Sequence, residues 1–394
     1  MKLIYSKFRL SKHQGSGITV FFLLLLFLGS CNLNGDQNAS IIQFVYTSDP
    51  HFGYSRLAFR GGSDVDALVV NQAMIGQINS LPTHKLPKDK GVNAGKPVGG
   101  IDYLICSGDI ANRSEYGIQR AEVSWNEFLE TYVNGLSLKN NSNQKTELLL
   151  LAGNHDISDA IGHYNIPDEE KDNSVMVGIF NYIFPEKLRT STDFNYKTDK
   201  IHYSKELAGI HFMFVNLWPD SCERIWMEKD LQYISDSVPV LLFTHDEPNV
   251  KARHFTNPNG QHDINLTDKF ENLLGEKFKD GKNIFLAATI EQLGFVDFLK
   301  RHSNIRVYFH GNDNENRFYT YTGPENDVSL DVVDVDSPMK GNYSRHAESR
   351  LSFQLVTIDT RNKLMTVREC LWNTKPSHPQ TPVEWGNSTT ISLR

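Results

Sequence analysis

Five short polar strings carry residue types that hold metal ions and phosphate groups. They are Asp49-Pro50-His51, Gly108-Asp109-Ile110-Ala111-Asn112-Arg113, Gly153-Asn154-His155-Asp156, His245 alone, and Gly311-Asn312-Asp313-Asn314. Side chains two apart on an extended chain point the same way, so Asp49 and His51 can grip one cation. The Asp109 carboxylate can bridge two cations, and Arg113, four residues on, can clamp a phosphate bidentately. The amide oxygen of Asn154 can ligate a metal while His155 points elsewhere. The strings are weak by themselves, except that Gly153-Asn154-His155-Asp156 taken whole is moderately specific. A lone D-x-H is usually accidental, Gly-Asp is usually a turn with a capping Asp, and Gly-Asn is a common turn pair. His245 alone can also be read as a satisfied core histidine, and Arg113 reads equally as a surface salt-bridge partner. The order of the strings carries the weight.

Each string follows an apolar run of strand length. Residues 41–48 are β-rich and stop where Pro50 would break a ladder. Residues 101–107, 147–152, 238–244 and 305–309 do the same ahead of Gly108, Gly153, His245 and His310. Open α/β folds place their sites at the carboxyl ends of strands, so converging strands can gather ligands far apart in sequence. Helical spacing runs over 67–80, 121–134 and 291–302. Residues 201–217 read as two strands with a turn near Gly209, and 351–359 with 364–369 as a closing hairpin. The stretch 157–198 reads as irregular with a helix around 174–183. The elements make one α/β domain over 41–372, with 373–394 as a polar, Pro-containing tail.

In this order the strings resemble the calcineurin-like metallophosphoesterase superfamily, whose pattern runs D-x-H, G-D-x-x-D/N, G-N-H-D/E, a lone His, then G-H-x-H. The resemblance covers about residues 41–370. It implies a four-layer α/β fold, a two-sheet β-sandwich flanked by helices, and a site holding two divalent metal ions. By the same resemblance, Asp49 and His51 bind the first ion, Asp109 bridges both, and Asn154 and His245 bind the second. His155 binds no metal; it hydrogen-bonds the phosphate and protonates the leaving oxygen, oriented by Asp156, while Arg113 holds phosphate. The implied reaction is hydrolysis of a phosphate mono- or diester by metal-activated water.

The fifth string departs from that pattern. Both expected histidines are asparagines, Asn312 and Asn314, so each ion loses an imidazole. Three readings follow. Asn312 and Asn314 ligate through amide oxygen; or His310, of the same parity along the chain, supplies a nitrogen after a local shift; or the site is degraded. Among Mn, Mg, Fe and Zn, trading nitrogen for oxygen favours the harder ions. A second function class therefore stands beside the enzyme: a surface lipoprotein that keeps the fold as a ligand-binding module without turnover.

Composition bounds these readings. The chain has 394 residues, 39% hydrophobic and 22% charged, with a formal charge of -7, which excludes wholesale disorder, a polytopic membrane protein and a basic nucleic-acid binder. Residues 1–30 read as an export signal. Lys2, Lys7, Arg9 and Lys12 precede an apolar core over 18–28, too short to span a bilayer, which takes about 20 residues. Leu28-Gly29-Ser30-Cys31 resembles a bacterial lipobox, which implies lipidation of Cys31, a tether over 31–40 and a place in the cell envelope. Cys106, Cys222 and Cys370 make no disulfide framework. No feature of the sequence names an oligomeric state.

Overall fold

The first apolar run forms β1 (Ile41–Thr47), buried along nearly its whole length. A strand buried on both faces must sit inside a sheet and under a second layer. The computed structural model describes residues 41–112, 119–161, 171–196, 198–249 and 289–394. Arg113, Cys31, the export signal and the tether lie outside the described residues.

Beside β1 lie β4 (Tyr103–Cys106) and β5 (Glu147–Leu150) on one side, parallel to it. On its other side come β12 (Ser352–Asp359), β13 (Leu364–Leu371) and β14 (Glu384–Ser392), all antiparallel neighbours. A second six-stranded sheet has the order β10-β11-β9-β8-β7-β6. Its strands are β6 (Tyr203–Leu207), β7 (Ile210–Phe214), β8 (Val240–Phe243), β9 (Ile305–His310), β10 (Arg317–Tyr321) and β11 (Leu330–Asp334). Here β7, β8, β9 and β11 run parallel, with β6 and β10 antiparallel at the edges.

Aromatic rings join the two sheets. Phe44 of β1 meets Phe212, Phe243 and Phe309 edge-on at 5.7, 5.9 and 5.9 Å. Tyr46, two residues on and so on the same face, meets Phe309 at 5.2 Å. Across the second sheet, Phe214, Phe243 and Phe309 share one row of the register and stack at 4.8 and 4.6 Å. Such pairs add about 0.5–1.5 kcal/mol each beyond their buried area.

Helices cover the outer faces. Helix α1 (Ala67–Ser80) meets the π-helical turn Leu129–Asn134 that continues α2 (Ala121–Phe128), where the Tyr132 hydroxyl donates to Asn71 Oδ1 at 2.9 Å. α4 (Ser174–Ile183) lies on α2, on α3 (Asn154–Ile161) and on β5. Against the second sheet, Phe295 of α6 (Thr289–Arg301) packs on Trp218 and on Tyr308 of β9. Its neighbour α5 (Ser221–Leu231) is capped by Asp220, which accepts from the amides of Cys222 and Glu223. Trp218-Pro219-Asp220 is thus core packing and a helix cap. The expected two-sheet sandwich flanked by helices is the architecture found.

One local expectation changes, and one element is new. The polar stretch read as a tail contains β14, paired with β13 through Met365↔Ile391, Thr366↔Thr390 and Val367↔Thr389. An edge strand with most of its side chains exposed needs no apolar alternation, so its Thr- and Ser-rich sequence hid it. A hairpin of β2 (Ser55–Phe59) and β3 (Gly62–Asp66) also stands just after the first string.

Candidate metal centre

Strand register brings the five strings to one place. Thr47, Cys106 and Leu150 lie side by side at the ends of β1, β4 and β5, as do Phe214, Phe243 and Phe309 in the other sheet. All six strands are parallel within their sheets, so the polar turns leave from common edges. The turns then pair with one another. Asp49 N donates to Gly108 O at 3.0 Å, His51 N to Asp109 O at 3.0 Å, and Gly311 N to His245 O at 3.1 Å. Contacts also cross between the sheets: His245 Nδ1 to Ser107 O at 2.8 Å, and Asn312 N to Asp49 Oδ2 at 3.0 Å.

These turns are tightly bent. Asp49, His51, Asp109, Asn312 and Asn314 have φ of 56°, 43°, 52°, 59° and 55°. Left-handed backbone costs non-glycine residues on the order of 1–3 kcal/mol when strained, and it persists only where surrounding structure over-determines it. Two glycines permit the bends to touch. A Cβ on Gly153 would collide with the Asp109 carboxylate and amide, and one on Gly311 with Ser48 Oγ and Asp49 Oδ2. Gly153→Ala is therefore expected to cost about 1–3 kcal/mol of stability. It should also weaken metal affinity about 10–100-fold by displacing Asp109. Denaturant unfolding of the metal-free variant and a metal titration check both halves; a variant matching the parent in both would show that Asp109 has room to move.

Asp109 is the hub. It is buried, with His245 Nε2 at 3.3 Å from Oδ1, and His51 Nε2 and His155 Nε2 at 3.7 and 3.8 Å from Oδ2. Its Oδ1 also accepts from the His155 amide at 2.8 Å, at the start of α3. The ring of His51 meets that of His155 edge-on at 4.8 Å. Asp49 Oδ1 lies 3.5 Å from His51 Nε2, and Asn154 Oδ1 lies 3.1 Å from His245 Nε2. Ligand atoms of two trios, Asp49 with Asp109 and His245, and Asp109 with His51 and His155, lie within 4.8 Å of one another. Asp109 belongs to both. His155, expected to stand apart from the ligands, is close enough to join them, though at 16% exposure it is the most open of the three imidazoles around Asp109.

The electrostatics fit a cation site. Burial pushes the Asp109 carboxyl up, but His155, His245 and His51 together hold it well below the usual carboxylate range. Burial would lower the His245 imidazole, yet Asp109, Asp49 and Asp246 raise it well above its ordinary value. His51 is pushed down by burial and by the Lys340 ammonium, against Asp49 and Asp109. Asp49 Oδ1 and Asn314 Oδ1 are buried acceptors with no hydrogen bond among the described residues. Such oxygens are costly to bury and suit a hard cation.

The remaining expected residues are distributed as follows. Asp156 accepts from the amides of Gly153, Ala111 and Ile110 at 2.9, 2.9 and 3.2 Å, tying the second string to the third. Burial and the Asp109 charge push its carboxyl up to about 7. Asn312 Nδ2 donates to Glu247 Oε2 at 2.8 Å, and Asn314 Nδ2 to the Asn312 carbonyl. His310 meets the Gly311 carbonyl through Nδ1 and the Tyr319 hydroxyl through Nε2 at 2.9 Å, so both of its nitrogens are engaged. The reading in which His310 replaces a lost imidazole has no support in this arrangement. Sequence reasoning missed Glu247, two residues past His245, and Lys340. Glu247 has the signal of adjacency to a string; Lys340 has none.

A family model described as calcineurin-like phosphoesterase matches residues 42–311. The match takes in the first four strings whole and ends one residue before Asn312. No curated protein matches the chain. Solved structures give distant likenesses. A predicted phosphoesterase from Streptococcus pneumoniae TIGR4 is 10% identical over 89% of this chain and 98% of its own, at a TM-score of 0.31. Phosphopantetheinyl hydrolase from Mycobacterium tuberculosis is 12% identical over 76% of this chain and 91% of its own, at 0.34. The calcineurin-like phosphoesterase YfkN from Bacillus subtilis is 11% identical over 90% and 91%, at 0.32.

Proposed function

Because the chain belongs to the calcineurin-like phosphoesterase family, we propose that it is an active metal-dependent hydrolase of phosphate mono- or diesters. The observation that carries the reading is the buried Asp109 carboxylate with imidazoles on both of its oxygens. Asp49, His51 and Asp109 would hold one divalent ion, and Asp109, Asn154 and His245 another. Asn312 and Asn314 would add amide oxygens, Asn314 through an Oδ1 that has no hydrogen bond among the described residues. Bound ions would polarise the phosphoryl group and make water nucleophilic at neutral pH.

The chain's own residues supply the rest. His155, the more open imidazole, donates to the phosphate and protonates the leaving oxygen. Asp156 acts through the backbone: by gripping the Gly153, Ile110 and Ala111 amides it sets the turn that carries His155. Arg113 takes a phosphate oxygen. The leading pattern at Leu28-Gly29-Ser30-Cys31 supports export and lipid anchoring at Cys31 in a bacterial envelope; Cys31→Ala should then release the protein from membranes on fractionation, and unchanged sedimentation would count against the anchor.

The oxygen-rich donor set predicts that manganese or magnesium, rather than zinc, supports hydrolysis of p-nitrophenyl phosphate or bis-p-nitrophenyl phosphate. Metal content of protein purified without chelator, measured beside turnover with each ion, tests this. A stoichiometric zinc pair would sink the preference. No turnover with any divalent ion, in folded protein, would favour the second reading, a ligand-binding module, to which the missing imidazoles at 312 and 314 point.

A further inference from the structure

The loop between β11 and β12 carries an ammonium group to the metal centre from a part of the chain with no motif. Ser337 fixes its course. The Ser337 hydroxyl donates to the Asp49 carbonyl at 2.8 Å and accepts from the amides of Met339 and Lys340 at 3.1 and 3.0 Å. Arg56 of β2, 1% exposed, donates through Nη1 to the Pro338 carbonyl at 3.1 Å and through its other arm to the Ser344 carbonyl. Asn342 N donates to the Asn314 carbonyl at 2.9 Å and its side chain to the Asp313 carbonyl at 3.1 Å. The loop is thereby fastened to the first string, to the fifth string and to the β2–β3 hairpin.

From that base Lys340 reaches the second string. Its Nζ donates to Asn112 Oδ1 at 2.7 Å and lies 5.0 Å from the centre of the Tyr54 ring. Asn112 is three residues past Asp109, and its amide is held by the Phe52 carbonyl at 2.8 Å, next to His51. The ammonium thus stands beside the metal centre, at the junction of the first and second strings. A structural staple is the plain alternative. Ser337, Arg56 and Asn342 already fasten the loop, however, and ordering a long lysine chain costs more rotamer freedom than most side chains.

We propose that Lys340 binds the phosphoryl group of the substrate, its ammonium taking one non-bridging oxygen on the Asn112 side of the site. The inference rests on the phosphoesterase reading and names a binding residue for it. A lysine acts as a point charge on phosphate. It therefore favours the dianion of a monoester over the monoanion of a diester. The buried carboxylates of Asp49, Asp109 and Glu247 make such a cation useful to an arriving anion.

Calorimetric titration of inorganic phosphate into the full chain, with and without manganese, tests the assignment without requiring turnover. Lys340→Met should weaken phosphate binding at least about tenfold with an unchanged melting temperature, and Lys340→Arg should retain most of it. Should Lys340→Met fail to fold, Lys340→Gln carries the same comparison. Where turnover is present, the KM for p-nitrophenyl phosphate should rise more than that for the diester. Phosphate affinity equal to the parent's, or a parent that binds no phosphate in either state, overturns the proposal. Lysine-dependent phosphate binding without turnover would sustain it while removing the enzymatic reading.

Discussion

Asp109→Asn is expected to abolish high-affinity metal binding and to reduce phosphate-ester hydrolysis by at least about 10³-fold. A metal-polarised phosphoryl group is worth several kcal/mol of transition-state stabilisation, and each 1.36 kcal/mol is a factor of ten. Asp109 is the residue whose loss removes most of that, since both acidic and imidazole trios found among the described residues contain it. The change is nearly isosteric, so it removes charge and leaves shape. It also has a signature in the metal-free protein. The raised His245 imidazole depends on Asp109 as its largest opposing cause to burial, so its titration, followed by NMR, should move to lower pH in the variant. The sign for stability follows. A histidine raised in the folded state stabilises fully below its unfolded value and loses that contribution as pH rises through its folded value. The variant should therefore lose more stability below about pH 6 than above the folded His245 value. Metal content equal to the parent's, or an unmoved His245 titration, would remove Asp109 from the centre of the site.

His155→Ala should lower kcat by about 10²–10⁴-fold, the usual range for a positioned acid or base. Leaving group decides where in that range the effect falls. A nitrophenolate leaves with little help, whereas an alkoxide needs its proton. The variant should thus lose far more on an alkyl phosphate than on p-nitrophenyl phosphate, with metal content preserved. The geometry also offers His155 as a ligand, near His51 and Asp109. Loss of metal with equal losses on both substrates would assign it there and withdraw the general-acid role.

The strings were legible because apolar strand runs end in them, and because Gly108, Gly153 and Gly311 sit where turns must touch. Side chains that arrive by tertiary packing were not. Lys340 lies 28 positions past Asn312 and comes to the centre through the contacts of its loop, Ser337 on the Asp49 carbonyl among them. Asp156 reads in sequence as a partner of its neighbour His155, yet both of its oxygens accept backbone amides. Buried turns leave amides that must be satisfied, and a sequence does not say which carboxylate will do it. The β14 strand was hidden for the opposite reason, since its exposed Thr and Ser side chains carry no core signal.

The backbone at positions 312 and 314 gives the substituted motif another meaning. Both residues are left-handed, at φ of 59° and 55°. Asparagine accepts that conformation more readily than most side chains, because its short amide can bond locally, as Asn314 Nδ2 does with the Asn312 carbonyl. An asparagine therefore suits the turn at each of these positions. A histidine at either position would put a bulkier ring, without that local amide bond, into a loop already bound to Asp49. Asn312→His and Asn314→His are therefore expected to change the melting temperature as well as the metal affinity, and a thermal melt beside a metal titration separates the two effects.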